Sequence, residues 1–255
     1  MENKVCLITG ALGGVGACTA MRFAADGYKI VLADIPAEEK AIALLEQLGG
    51  PENAIYVKTD VTDENKCKEA VEAAVNAFGH IDVLINNAGV NEHKTFWDGD
   101  IAEIERVFNV NFFGAVNMAQ VAAREMILEK NEKGVIVNVT SMCARIVHDD
   151  TIGYHASKAA LERSTEVLAY ELAPYGIRCV AIAPGWVHTN MVLPEMVEAG
   201  GELHMHGRII EPEEIAEIIR FAADERAYAF NGSQIMADDG LCSFKTISGD
   251  KRAEE

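Results

Sequence analysis

The 255-residue sequence predicts an α/β fold, doubly wound, with about seven parallel strands in one central sheet and helices on both faces. Two observations carry that reading. Short, almost wholly apolar segments alternate with amphipathic stretches from the first residues onward, and apolar strands buried on both faces belong to parallel sheets. No stretch rich in Pro, Gly or Ser interrupts the alternation, so residues 1–255 read as a single domain.

The elements follow in order. Val5-Cys6-Leu7-Ile8 is a strand that ends at Thr9-Gly10, and a helix spans 14–26 with Gly27 as its stop. A strand at 29–34 precedes a helix at 37–48, which Gly49-Gly50-Pro51 closes. A strand at 54–58, a long helix at 63–78 and a strand at 81–86 follow. Then come a helix at 100–130, a strand at 134–139, a helix at 154–173 and a strand at 178–183. A loop-rich insertion at 190–210 leads to a helix that starts near Pro212, with Pro in its first turn, and a last strand lies near 233–236. Each crossover is expected to be right-handed.

Composition excludes several classes. Lys and Arg number 22 against 40 Asp and Glu, a net charge of −18. A chain so acidic is repelled by phosphate backbones and anionic lipid, so neither nucleic acid nor membrane is expected as partner. No apolar run reaches the 18 or so residues that span a bilayer. The first residues lead straight into a strand, without a signal region, and the chain is expected to be cytoplasmic. Six cysteines form no C-x-x-C pair and show no zinc spacing with the histidines, so no metal is expected. His204 and His206, two apart, point away from each other on a helix.

The turn Thr9-Gly10-Ala11-Leu12-Gly13-Gly14-Val15-Gly16 joins the first strand to the first helix. Glycines there let pyrophosphate approach backbone N–H groups at a helix start, so Gly10, Leu12, Gly14, Val15 and Gly16 are cofactor-binding candidates. Asp34 ends the second strand 18 residues after Gly16 and can accept hydrogen bonds from an adenosine ribose. It would repel a 2′-phosphate by about 1–4 kcal/mol at surface dielectrics. No Arg or Lys at 11–15, 35 or 36 offsets that charge, so NAD is expected over NADP.

Tyr154 and Lys158 are four apart and share one helical face. A nearby ammonium favours the phenolate, so the pair can exchange a proton with an alcohol or carbonyl near neutral pH. Ser141 follows the strand at 134–139 and can hydrogen-bond a substrate oxygen. Asn86-Asn87-Ala88-Gly89 ends the fourth strand beside the same crevice. Asn111 is a polar residue in an apolar helical stretch, either a satisfied core amide or a holder of water near Lys158.

Together with Asp60-Val61 and Pro184-Gly185, these motifs resemble the short-chain dehydrogenase/reductase family over nearly the whole chain. The resemblance implies a Rossmann-like fold and hydride transfer between NAD and a secondary alcohol or ketone. It implies that Tyr154 is the general acid/base, that Lys158 lowers its pKa and bonds the nicotinamide ribose, that Ser141 orients the substrate oxygen, and that Asn111 completes a proton relay through water. It implies that Asp60 and Val61 meet the adenine, that Asn87, Ala88 and Gly89 line the cleft, and that Pro184, Gly185, Val187 and Thr189 hold the nicotinamide. Residues 190–210 become a substrate lid, and Cys143, Trp186 and Met191 are expected to line the pocket.

Two substrate classes stay open. Arg145, His148, Asp149 and Asp150 suit a polyol or sugar acid; Met191, Leu193, Met196 and Met205 suit a hydroxysteroid or bile acid. Phe112, Phe113, Met118 and Leu168 offer apolar surface for a homotetramer or homodimer. The competing reading is a catalytically silent NAD-binding sensor or scaffold. The tail at 245–255 is polar and expected to fray.

Overall fold

A computed structural model describes residues 4–148, 150–192 and 196–243. The expected tail at 245–255 lies outside them, as do Asp149 and Leu193.

Seven parallel strands form one sheet: β1 (Val5–Thr9), β2 (Lys29–Asp34), β3 (Ala54–Lys58), β4 (Val83–Asn86), β5 (Val135–Val139), β6 (Arg178–Pro184) and β7 (Gln234–Ala237). Their order is β3-β2-β1-β4-β5-β6-β7. Alternate residues of each strand feed opposite faces. On one face Cys6, Ile8, Ile30, Leu32 and Ile182 pack with Phe23 of α1 (Gly14–Ala25) and Ile215 and Ile219 of α8 (Pro212–Ala222). On the other, Val5, Leu7, Leu84 and Ile136 meet α3 (Glu64–Phe78) and α5 (Ala115–Leu128). Each fully buried Leu, Ile or Phe contributes about 1.5–3 kcal/mol, which explains why both faces stay covered.

The chain reverses its direction of winding at β1, which pairs β2 on one side and β4 on the other. The crevice beyond the carboxyl ends of these strands is where open α/β sheets bind ligands. An amide ladder crosses the sheet at that level: Asn86 Nδ2 donates to Asn138 Oδ1 at 2.9 Å, and Asn138 Nδ2 donates to Thr165 Oγ1 at 2.9 Å.

Four sequence expectations need correction. The helix at 37–48 is a 3₁₀ turn, Glu38–Lys40, followed by a short α2 (Ile42–Gln47), because buried Ala41 between them turns the chain into the core. The helix at 100–130 is α4 (Ile101–Phe108) and α5 with a π-helical turn, Asn109–Gly114, between them. The next helix, α6 (Ile152–Leu172), starts two residues early, so Tyr154 lies in its first turn. The insertion carries a helix of its own, α7 (Met196–Glu202). Among the described residues no helix is long and apolar enough to cross a membrane.

Candidate active site

The glycine-rich turn closes on itself. Gly10 has φ +60°, a conformation that L side chains rarely adopt. A Cβ on Gly16 would stand 2.2 Å from the Gly10 carbonyl oxygen, so only glycine fits. β1 and β4 are tied at this point. Asn87 Nδ2 donates to the carbonyls of Thr9 and Gly10 at 3.1 and 2.9 Å, and Thr9 Oγ1 accepts from the amides of Asn87 and Ala88. The result is a cradle of small residues at a helix start, which suits a pyrophosphate.

Asp34 is anchored above the cradle. One carboxylate oxygen accepts from the Leu12 amide at 2.8 Å and the other from the Ile35 amide at 2.8 Å. Asp60 is exposed beyond β3, with Oδ1 accepting from both the amide and the hydroxyl of Thr62. Val61 is buried beside it, and its carbonyl accepts from Asn117. Gly14 approaches Thr189: a Cβ on the glycine would lie 2.9 Å from Thr189 Cγ2. Gly185 follows β6, with its amide donating to the Ala237 carbonyl, and Val187 forms an isolated bridge to Ile210. Contacts thus join Leu12 to Asp34, Gly14 to Thr189 and Gly10 to Asn87 and Ala88 at the carboxyl ends of the strands.

Ser141, Tyr154, Lys158 and Asn111 gather on the β4–β5 side of the same crevice. Lys158 is 3% exposed; its Nζ donates to the Val139 carbonyl at 2.8 Å and lies 5.6 Å from the centroid of the Tyr154 ring. Gly89 closes the gap between the ammonium and Asn111: a Cβ there would be 3.5 Å from Lys158 Nζ and 3.4 Å from Asn111 Oδ1. The π turn explains the position of Asn111. Its extra residue re-aims the side chain inward, where Oδ1 accepts from the Val90 amide at 2.8 Å and Nδ2 donates to the Val90 carbonyl and to Ser157 Oγ. Asn111 is thus a satisfied core amide that faces Lys158.

Electrostatics at the pair differ from the sequence expectation. Burial pushes the Tyr154 phenol above its ordinary range; the neighbouring Cys143 adds to the rise, and a hydrogen bond with Ser141 opposes it. Burial also pushes the Lys158 ammonium down to about 8. The buried ammonium takes a backbone carbonyl as its partner, and desolvation outweighs the acidifying effect expected from helical spacing.

A family model described as short chain dehydrogenase matches residues 4–198. An uncharacterized oxidoreductase of Thermotoga maritima is 38% identical over 250 residues, spanning 94% of this chain and 96% of its own. The chain belongs to the short-chain dehydrogenase family. The 3-oxoacyl-acyl-carrier-protein reductase FabG of the same organism is 36% identical over 244 residues, spanning 94% of this chain and 98% of its own. A crystal structure of a short-chain type dehydrogenase/reductase from Mycobacterium marinum has a TM-score of 0.89 at 28% identity, covering 94% of this chain and 96% of that one. A short-chain dehydrogenase is an oxidoreductase that binds a nicotinamide dinucleotide, NAD or NADP.

Sequence reading missed Glu92 in this short-chain dehydrogenase. Its buried carboxylate, from the loop after β4, accepts from the amides of Gly153 and Tyr154, the latter at 3.2 Å to each oxygen. A carboxylate at a helix N-terminus satisfies amides that have no partner within the helix and complements the dipole. It sets the start of α6 and hence the place of Tyr154. No local motif announces it, because 61 residues separate Glu92 from Gly153. Glu92→Ala is expected to cost about 1–3 kcal/mol, the penalty for leaving buried donors unpaired. A melting temperature lower by about 2–12 °C is the matching readout. Glu92→Gln, which keeps an acceptor, should recover most of that loss; an unchanged melting temperature in Glu92→Ala would contradict the assignment.

The residues expected from the sequence to meet the substrate lie on the connections after β5 and β6. Cys143 is buried in the 3₁₀ turn after β5, and its amide donates to Ser141 Oγ at 3.1 Å. Trp186, just after β6, lies 5.9 Å from the His148 ring. Met191 is exposed. His204 and His206 lie in a turn after α7, not on a helix, and do point apart. His204 is buried, with Nδ1 2.8 Å from the Gly200 carbonyl and Nε2 accepting from the Trp186 amide. His206 is exposed and pairs with Asp239 at 2.6 Å.

Proposed function

We propose that this chain is an NAD-dependent alcohol dehydrogenase/reductase that interconverts a secondary alcohol and a ketone. One observation carries the reading: Ser141, Tyr154, Lys158 and Asn111 converge beside the glycine cradle at the carboxyl ends of β4 and β5. The cradle would hold the pyrophosphate on Gly10, Leu12, Gly14, Val15 and Gly16. Asp34 would hold the ribose, Asp60 and Val61 the adenine, and Asn87, Ala88, Gly89, Pro184, Gly185, Val187 and Thr189 the remainder of the cleft. When bound, the nicotinamide supplies or accepts the hydride. Tyr154 gives its hydroxyl proton to the ketone oxygen, or takes the alcohol proton in the reverse direction. Ser141 donates a hydrogen bond to that oxygen and stabilises the charge developing on it. Lys158 holds a positive charge behind the phenol, and Asn111 keeps the β4 loop against it.

The name of the FabG relative, a 3-oxoacyl reductase, supports ketone chemistry in general. The imidazoles of His148 and His155 beside Cys143 favour the polyol or sugar-acid class over a hydroxysteroid. The intact Ser, Tyr and Lys set argues against a silent sensor. A panel of polyols, hydroxy acids and hydroxysteroids, each with NAD and with NADP, tests the reading. Turnover of none of them by the folded enzyme would overturn it.

For the cofactor, kcat/KM with NAD is expected to exceed that with NADP by about 5- to 1000-fold, since Asp34 repels a 2′-phosphate by about 1–4 kcal/mol. Asp34→Asn keeps an acceptor for the Leu12 amide and removes the charge, and should narrow the ratio. A wild-type preference for NADP would refute this prediction.

Assembly into a homodimer or homotetramer is part of the same proposal. Met118 and Leu168 do not supply the surface expected of them, since Met118 is fully buried and Leu168 packs on the core of its own chain. Phe113 at 52% exposure and Tyr170 at 84% on α6 do remain outside.

A further inference from the structure

Beside the groups assigned to proton transfer, a thiol and two imidazoles meet between the turn after β5 and the first turn of α6. The ligand atoms of Cys143, His148 and His155 all lie within 4.8 Å of one another. Cys143 Sγ is 3.4 Å from His148 Nε2. His155 Nδ1 is 2.8 Å from the Thr151 carbonyl oxygen, and a carbonyl only accepts, so Nδ1 carries the proton and Nε2 keeps its lone pair. The His148 amide donates to that Nε2 at 3.2 Å, which requires the same tautomer. Thr151 Oγ1 reaches both rings, 2.9 Å from His155 Nδ1 and 3.4 Å from His148 Nδ1. Metal-binding imidazoles are held in this way, one nitrogen fixed by a backbone or side-chain oxygen and the other turned to the ion.

We propose that Cys143, His148 and His155 form a site for a thiophilic divalent cation, zinc above all, at the edge of the substrate pocket. One sulfur and two imidazole nitrogens are a donor set that zinc favours, and three protein ligands leave its fourth position to water or a substrate oxygen. Zn–S bonds of about 2.3 Å and Zn–N bonds of about 2.0–2.1 Å suit the 3.4 Å between Cys143 Sγ and His148 Nε2 as it stands, and require the His155 nitrogen to draw in by at most roughly 1 Å. The His148 amide then gives up its bond to His155. The Cys143 S–H bond is replaced by S–Zn, the proton passes to the buffer, and no oxidation state changes.

The place of the ion sets its effect. The Cys143 amide bonds Ser141 Oγ, and the thiol is close enough to Tyr154 to act on its phenol. An ion there shares space with the substrate and slows turnover until a chelator removes it. Binding itself does not depend on the proposed reaction; only the inhibition does.

Cobalt(II) titrated into the untagged 255-residue chain, freed of metal with EDTA, is the direct test. Expected are a sulfur-to-cobalt charge-transfer band and the visible bands of a four-coordinate ion, saturating at one equivalent and displaced by zinc. Cys143→Ala should lose the charge-transfer band, and His155→Gln should weaken binding by about 10–100-fold. Cys242→Ala should leave the spectrum unchanged. Protection of Cys143 from alkylation by zinc, read by peptide mass spectrometry, serves if Cys143→Ala does not fold. Absence of the band in folded wild type, its persistence in Cys143→Ala, or no protection of Cys143 overturns the site. Zinc binding at Cys143 without slower turnover overturns the inhibition alone.

Discussion

Tyr154→Phe is expected to lower kcat by about 10³-fold in both directions while leaving the affinity for NAD within a factor of about two. General acid/base groups in this kind of proton transfer contribute about 10²–10⁴-fold. The substitution removes one oxygen and keeps the ring that packs near Lys158. The lost hydrogen bond with Ser141 changes stability by about 0.5–1.5 kcal/mol, so the fold survives and the kinetic loss is attributable to chemistry. Cofactor affinity, read by quenching of protein fluorescence or by calorimetry, separates loss of the proton donor from loss of binding. A variant that turns over at more than a tenth of the wild-type rate would remove Tyr154 from the reaction.

Lys158→Met is expected to abolish most turnover and, at the same time, to stabilise the protein. Holding the ammonium in a buried place lowers its pKa from 10.5 to about 8, a penalty of about 3 kcal/mol on the folded state. The folded value lies below the unfolded one. The penalty is therefore complete below pH 8, declines between pH 8 and 10.5 while only the unfolded chain keeps the proton, and vanishes above. Methionine removes it but leaves the Val139 carbonyl without its donor, at about 1 kcal/mol. A net gain of about 2 kcal/mol corresponds to a melting temperature higher by about 4–8 °C at pH 7. The gain should shrink as the pH of the melt is raised toward 10.5. In wild type, kcat/KM for ketone reduction should fall above pH 8 as the ammonium deprotonates, because the phenol keeps its proton to higher pH. A destabilised Lys158→Met at neutral pH would show that the carbonyl bond outweighs desolvation.

Strands were the most legible part of the sequence, because burial on both faces leaves near-continuous apolar runs such as Val5–Thr9 that nothing else in the chain imitates. The glycine turn, Asp34 and the Tyr154/Lys158 pair were legible for a similar reason: each is a local pattern whose spacing is its geometry. The π turn was not. Asn109–Gly114 has the apolar character of an ordinary helix, and its extra residue is set by contact with a distant segment, where Gly114 sits against Val61. Glu92 was invisible because its partners are set by the fold. The meeting of Cys143, His148 and His155 escaped spacing rules because a turn, a loop and a helix start deliver one residue each. The phenol's upward shift was misjudged because helical spacing reports a neighbour's charge but not its desolvation.

The order of the sheet has an evolutionary consequence. In the proposed function, the groups that would grip the dinucleotide's adenosine half come from β1, β2 and β3, and the side chains that would handle the proton come from the connections after β4 and β5. The side chains that would touch the variable part of a substrate hang on the connections after β5 and β6, outside the ladders of the seven strands. A scaffold divided in this way would let selection retarget the enzyme by editing two connections, while the dinucleotide-binding half is inherited whole.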